Sequence, residues 1–437
     1  MAEKLALSGG PKAITREEEL SNARSWPSFT DEEVGAVREV LSKKGGWGGD
    51  VYGPIAAFEK DFSAYMGSKF TLPMNNGTAT IHSAYFAVGV GPGDEVITSA
   101  YTWHLQVGQI LALHAIPVFC DIDPVSACID PDEVRAKITS RTKAISVVHP
   151  FGAIAPMEEL VEISDEHDIP VIEDCSHAHG STYRGRKVGT IGDIGCFSLQ
   201  ASKLMTGIEA GVMITDVEEY YERACILGHY ERISKLKNEK YRRLYEPERE
   251  MAPACFGFKY RMHPLAAAIA RIQLKYLDEW TKVRRANMCR ISDGLAAAGE
   301  RNNGIFQPPY DEPDTERVWL NYICLYHAEK SGLDRSRFVE AVNAEGLPAG
   351  GGRTGYLPVY WNPVYEEKLD IWGEGYPFSA PYVQSEVSYP RGLCPEAEVF
   401  FTRTVDLPVL HREVGEELLD EYVGAVDKVL SHIDSLR

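Results

Sequence analysis

Apolar residues recur along this chain in two rhythms. Between residues 70 and 215 they form short unbroken runs bounded by Pro, Gly and Asp, at 70–74, 95–99, 117–121, 144–149, 170–174, 196–199 and 211–215. Runs of this length without alternation suit strands buried on both faces, so they predict a mainly parallel, seven-stranded sheet. Between the runs the pattern changes to helical spacing, predicting helices over 78–90, 103–114, 131–138 and 157–168. Strand–helix–strand units of this kind force right-handed crossovers and leave a crevice at the carboxyl ends of the strands, where function is expected.

Upstream, Thr30-Asp31-Glu32-Glu33 forms a capping box leading into Val34, Val37, Val40 and Leu41. Gly53-Pro54 opens a second helix whose apolar stripe is Ile55, Phe58, Phe62 and Tyr65. The intervening Gly45-Gly46-Trp47-Gly48-Gly49-Asp50 lacks the ending of a phosphate loop and reads as a connector. Past residue 216, the charged helical stretch 218–249 is expected to be exposed or at a subunit contact. A long helix over 264–297 then leads out of the large domain. The expected division is an N-terminal arm over 1–30, a large domain over 31–298 and a smaller α+β domain over 299–437. The last is built from a strand at 318–325 and helices at 334–345 and 416–433.

Composition narrows the function. The chain has 437 residues, 44% of them hydrophobic, enough for a large core. It carries 45 Lys and Arg against 64 Asp and Glu, a net charge of −19, which argues against a protein that coats nucleic-acid phosphates. The nine cysteines form no CxxC pair, and their odd count argues for free thiols in a reducing cytoplasm. The first 27 residues show no export signal, and no stretch reaches the ~18 apolar residues that span a bilayer. A soluble intracellular protein is expected.

Three positions at the predicted crevice could carry chemistry. Asn76-Gly77-Thr78-Ala79 follows a strand and opens a helix, offering free backbone N–H groups to a phosphate; such turns also serve as plain connections. Asp174 ends an apolar strand and either caps a turn or faces a cationic group, such as a protonated ring nitrogen. Lys203 follows Phe197-Ser198-Leu199-Gln200-Ala201-Ser202. It is either a solvated surface charge or a Schiff-base lysine whose amine is freed by desolvation. Trp103 is a core aromatic or a flat surface on which a ring stacks. His177 and His179 have no third ligand at metal-site spacing, so no metal is expected.

Taken in order, these segments resemble the DegT/DnrJ/EryC1/StrS family of sugar aminotransferases, which use pyridoxal 5′-phosphate (PLP) and have the fold-type-I, aspartate-aminotransferase-like architecture. The resemblance runs from Leu7-Ser8-Gly9-Gly10-Pro11 through Asn76-Gly77-Thr78-Ala79, Tyr101-Thr102-Trp103, Val148-His149-Pro150-Phe151-Gly152 and Glu173-Asp174-Cys175. It continues through Gly192-Asp193-Ile194-Gly195-Cys196-Phe197-Ser198 and Lys203 to Gly257-Phe258-Lys259-Tyr260-Arg261-Met262 and Leu407-Pro408. It implies that Lys203 carries PLP as a Schiff base and moves the proton, and that Asp174 pairs with the pyridinium nitrogen. By the same resemblance Gly77, Thr78 and Ser198 hold the phosphate and Trp103 stacks on the ring. His177 stands where the family has a Gln that touches the ring hydroxyl.

Lys259 stands where many members have Asn. The resemblance implies that it reaches the phosphate in a neighbouring subunit, hence a homodimer with shared active sites. The family's Gly-Glu-Gly-Gly is here Ile208-Glu209-Ala210-Gly211, which is expected to add side chains near the cofactor or substrate. Tyr356, Tyr360 and Trp361 either line a sugar pocket or belong to the core. The implied activity is transfer of an amino group from Glu or Gln, through pyridoxamine phosphate, to the ketone of a nucleotide-linked sugar or of a cyclitol such as an inosose. The setting would be antibiotic or cell-surface sugar biosynthesis. Two alternatives remain open at this point: dehydration, elimination or aromatization without net amino transfer, and a PLP-binding regulator or scaffold.

Overall fold

The seven buried runs pair into one sheet. Its strands lie side by side in the order Phe70–Met74, Gly211–Thr215, Ile194–Ser198, Val171–Asp174, Thr142–Val148, Glu95–Ser99 and Ile116–Cys120. Gly211–Thr215 is the one reversed strand, antiparallel to both neighbours. The computed structural model describes residues 4–43, 50–243, 257–352, 357–370, 373, 375–383 and 386–437. The glycine cluster at 45–49, the end of the charged stretch near Arg249, and Tyr356 lie outside the described residues.

Helices Gly77–Val88, His104–Ala112, Pro131–Lys137 and Met157–His167 connect the strands, each within a few residues of its expected span. The register explains where the crevice opens. Ser198 pairs with Gly211, and Gly211 pairs in turn with Met74, so three strand ends finish level with one another. The loop over 199–210, which carries Lys203, therefore closes beside the Asn76 turn.

The capping box forms as expected, with Glu33 accepting from the Thr30 amide at 2.8 Å. The long helix runs over Pro264–Arg301 and packs against helices Asp31–Ser42, Gly53–Met66 and Glu416–Leu430. Beyond it, Phe306–Gln307, Tyr322–Tyr326, Thr404–Leu407 and Gly350–Gly351 form an antiparallel sheet in that order. Leu5, Ile14, Leu20 and Ala23 from the start of the chain join the core beneath it, among Met288, Leu295, Trp319 and Tyr422. Among the described residues, no helix is long and apolar enough to cross a membrane.

Two expectations are corrected. The charged stretch is helical where described, as Glu218–Gly228, a 3-10 turn at Tyr230–Lys235, and Glu239–Arg242, but it is not simply exposed. Its charges are partly internal. Arg232 is buried, with ion pairs to Asp50 at 3.1 Å and Glu59 at 2.6 Å that offset its desolvation. The strand expected at 318–325 begins only at Tyr322, because the backbone before it bonds elsewhere: the Val318 amide donates to Ser181 Oγ and the Leu320 amide to the Phe151 carbonyl. That detour carries Leu320 and Asn321 to the crevice.

Candidate active site

A cavity of about 560 Å³ opens at the carboxyl end of the parallel strands. Seven of the eight candidate residues line it: Gly77, Thr78, Trp103, Asp174, His177, Ser198 and Lys203. Lys259 does not. It is exposed, and its carbonyl accepts from Asn75 Nδ2 at 3.5 Å, next to the Asn76 turn.

The turn itself is pre-formed. Asn76 caps helix Gly77–Val88, its Oδ1 accepting from the Ala79 amide at 2.7 Å. The first amides of a helix have no partner within it and carry its positive dipole end, so those of Gly77 and Thr78 are available to an anion. Glycine at 77 is required by packing: a Cβ there would sit 2.6 Å from Ser198 Cβ. This close approach brings the Ser198 hydroxyl beside the helix start.

Asp174 ends strand Val171–Asp174 and is nearly fully buried. Burial pushes its carboxyl up; the Ser176 amide, bonded to Oδ1 at 3.0 Å, and the nearby Lys203 charge pull the other way. The Ser176 side chain adds a second hydrogen bond. Even so, burial dominates, and a buried carboxylate that lines the cavity suits a cationic partner there.

Burial also sets the state of Lys203. It pushes the amine down to about 8, with Asp174 opposing, so far more of it is neutral and nucleophilic near neutral pH than of an exposed lysine. His177 is the third titratable wall. Its Nδ1 accepts from the Phe151 amide at 3.2 Å, which leaves Nε2 as the protonated nitrogen. Burial, reinforced by Lys203, holds its pKa well below the ordinary value, so the ring is a neutral donor. His179 does not line the cavity; burial holds it neutral too, with a pKa of about 3. Trp103 precedes helix His104–Ala112 and is 45% exposed, a flat indole at the cavity wall.

The altered glycine motif acts differently from the expectation. Glu209 lines the cavity, but Ile208 and Ala210 do not. Ile208 lies outside it, 46% exposed, with φ at 71°, and Ala210 is fully buried. Tyr360 and Trp361 also lie away from the cavity, both donating to Glu398, at 2.6 and 3.1 Å.

Sequence reasoning missed Gln106, Gln200, Ser202 and Asn321, all of which line the cavity. Gln106 follows Trp103 by one helical turn, a spacing that could have revealed it. Asn321 arrives through the backbone detour described above and has no local signal.

Beneath the site, ligand atoms of His149, Glu173 and Cys175 lie within 4.8 Å of one another. The Glu173 carboxylate is already occupied. It accepts from the amides of Gly189 at 2.7 Å, Ile191 at 2.8 Å and Gly192 at 2.7 Å, and meets His149 Nε2 at 3.2 Å. Burial pushes Glu173 up, but His149 and these amides outweigh it and hold the carboxyl below its ordinary range. The cluster is a pedestal for the strand end rather than an open metal site.

The donor set fits PLP. Free helix amides and a hydroxyl suit a phosphate, a buried carboxylate suits a protonated ring nitrogen, a neutral imidazole N–H suits a ring hydroxyl, and a desolvated amine suits an aldehyde.

The sequence profile of the DegT/DnrJ/EryC1/StrS aminotransferase family matches residues 27–427. The chain is 36% identical over 378 residues, 84% of each chain, to the L-glutamine:2-deoxy-scyllo-inosose aminotransferase of Streptomyces lividus. It is 35% identical over 365 residues, 78% of this chain and 79% of the relative, to the enzyme of that name from Streptomyces kanamyceticus. Its fold is similar to that of an aminotransferase from Psychrobacter cryohalolentis, with a TM-score of 0.79 and 28% identity, covering 94% of this chain and 99% of that one.

Proposed function

Because the chain belongs to the DegT/DnrJ/EryC1/StrS aminotransferase family, we propose that it transfers the amino group of L-glutamine to the ketone of an inosose-type cyclitol. It is a PLP-dependent aminotransferase acting on a keto sugar or cyclitol. The observation that carries the residue assignment is that Lys203, Asp174 and the Gly77–Thr78 turn line one cavity. The choice of glutamine and a cyclitol rests on the relatives from Streptomyces lividus and Streptomyces kanamyceticus, whose names carry both.

When bound, PLP supplies an electron sink that acidifies the carbon bearing the transferred nitrogen. The chain's residues do the rest. The amides of Gly77 and Thr78 and the Ser198 hydroxyl would hold the phosphate. Asp174 would stabilise positive charge on the ring nitrogen, His177 Nε2–H would donate to the ring hydroxyl, and Trp103 would cover a ring face and exclude water. Lys203 would be the attachment point, and its Nζ would accept and return the proton that amino transfer moves. Lys259, exposed and apart from its own chain's cavity, serves the partner's phosphate in a cytoplasmic homodimer. The free cysteines among the described residues accord with that compartment.

The test is a mass-spectrometric assay of the purified protein with L-glutamine and a panel of inososes and keto nucleotide sugars. Conversion of an inosose ketone to an amine, with loss of glutamine, is expected. Amination of a nucleotide sugar alone would replace the cyclitol, and a product without new nitrogen would reject amino transfer.

A further inference from the structure

The Lys203 backbone lies in the loop between strands Ile194–Ser198 and Gly211–Thr215. Its amide donates to the Gln200 carbonyl at 2.9 Å, and the Gly207 amide closes the loop on the Leu199 carbonyl at 2.9 Å. Its own carbonyl is taken from far away in sequence: Trp26 Nε1–H donates to it at 2.9 Å.

Trp26 is gripped from several sides. Its ring stacks on His411 with centroids 5.0 Å apart and 23° between planes, and meets the edge of Trp280 at 5.1 Å. The Arg284 guanidinium lies 5.1 Å from the ring and donates from Nε to His411 Nδ1 at 3.1 Å. Arg284 is fully buried, and among the described residues its Nη1 and Nη2 have no hydrogen-bond partner. A buried guanidinium with no carboxylate is costly, and the indole face and imidazole are what it has been given in return. The flanking backbone is tied as well: the His411 amide donates to the Ala23 carbonyl at 2.7 Å, and Gln273 Nε2 donates to the Ser28 carbonyl at 3.1 Å. Trp26 thus joins the lysine loop to the long helix and to the C-terminal part of the chain.

We propose that Trp26 is a positioning residue for Lys203, its indole N–H fixing the lysine carbonyl while Arg284 and His411 fix the indole. The proposal rests on Lys203 as the PLP lysine. A hydrogen bond to the carbonyl restrains the backbone torsion next to the Lys203 Cα, and so the direction in which the amine leaves the loop. Without it, the loop samples orientations from which the amine cannot reach the aldehyde, and binding carries the cost of ordering it.

Two variants isolate the N–H. Trp26→Phe keeps a ring on His411, and 3-benzothienylalanine at position 26 keeps the full shape of the indole with sulfur in place of N–H. In both, hydrogen exchange over 199–207 should quicken and the Kd of the apo-protein for PLP should rise, each by about fivefold, the scale of one net hydrogen bond. The pH midpoint of the visible band of the loaded enzyme should move, while the Tm of the benzothienylalanine protein falls by no more than the few degrees that one hydrogen bond is worth. That protein decides the matter should Trp26→Phe fail to fold; wild-type exchange and PLP affinity in it overturn the proposal. Borohydride reduction and peptide mapping of the wild-type protein separate the two levels. A label on Lys203 with silent variants rejects only the positioning role, whereas a label on another lysine rejects the site assignment and this proposal together.

Discussion

Glu173 and Asp174 are neighbouring carboxylates at the end of one strand, and they meet opposite environments. Strand alternation sends their side chains to opposite faces. Glu173 turns into three backbone amides and His149, which hold its carboxyl below the usual range. Asp174 turns into the cavity, where burial raises it against the opposing side-chain and amide hydrogen bonds of Ser176. The first is occupied by the scaffold, and the second faces the cavity.

Asp174→Asn should therefore leave the fold intact and strike the chemistry. We expect kcat to fall by about 10²–10³, the loss seen when an electrostatic group aimed at developing charge is removed. PLP retention should weaken as well. Steady-state kinetics and dialysis of the loaded protein measure both, and an unchanged kcat would remove the assigned role.

Glu173→Gln should do the reverse. An amide NH₂ faced with backbone N–H donors leaves buried groups unpaired, at a cost of about 3 kcal/mol. Because the folded-state carboxyl titrates below its ordinary value of 4.5, its contribution is full above that pH and is lost as pH falls through the folded value. Thermal melts of apo-protein against pH should show this acid limb in the wild type and lose it in the variant.

Lys203 predicts a pH profile of its own. Since the neutral amine is the nucleophile, the rate at which apo-protein captures PLP should rise through pH about 8 and then level, read by stopped-flow absorbance. The folded-state pKa lies below the ordinary 10.5, so the unfolded chain holds more protons between those values. Stability of the apo-protein should rise with pH across that window, and Lys203→Met should abolish this component.

Ile208 occupies a left-handed backbone position, φ 71°, beside a residue that lines the cavity. A β-branched side chain is strained there, and Ile208→Gly should stabilise the protein by about 1 kcal/mol. Calorimetry of the variant reads the gain; a lowered Tm would mean that the exposed side chain makes a contact worth more than the strain.

The proposed role of Lys259 in the partner's site is open to complementation. Lys203→Ala and Lys259→Ala proteins should each have low activity alone. Refolded together in equal amounts they should regain roughly a quarter of wild-type activity, because half the dimers carry one intact site. No recovery would place Lys259 outside the shared site.

Much of this protein was readable from the order of its residues. The unbroken apolar runs specified the buried sheet, because a strand covered on both faces cannot tolerate polar alternation. The turn at Asn76, the strand end at Asp174 and the Lys203 segment were visible because each chemistry requires a residue type at a local position. The failures share a cause. The charged stretch past 216 looked exposed because Asp50 and Glu59, which neutralise Arg232, lie far upstream. The late start of strand Tyr322–Tyr326 depended on where Ser181 and Phe151 stood in space.

Periodicity along the chain thus determined the class of fold and the crevice, and local position marked out the candidate residues, since these follow from neighbours along the chain. Tertiary structure alone decided which groups are dry, which carboxylate is already satisfied, and which indole reaches the Lys203 carbonyl. Those properties depend on desolvation and on contacts between segments hundreds of residues apart, and no local pattern encodes them.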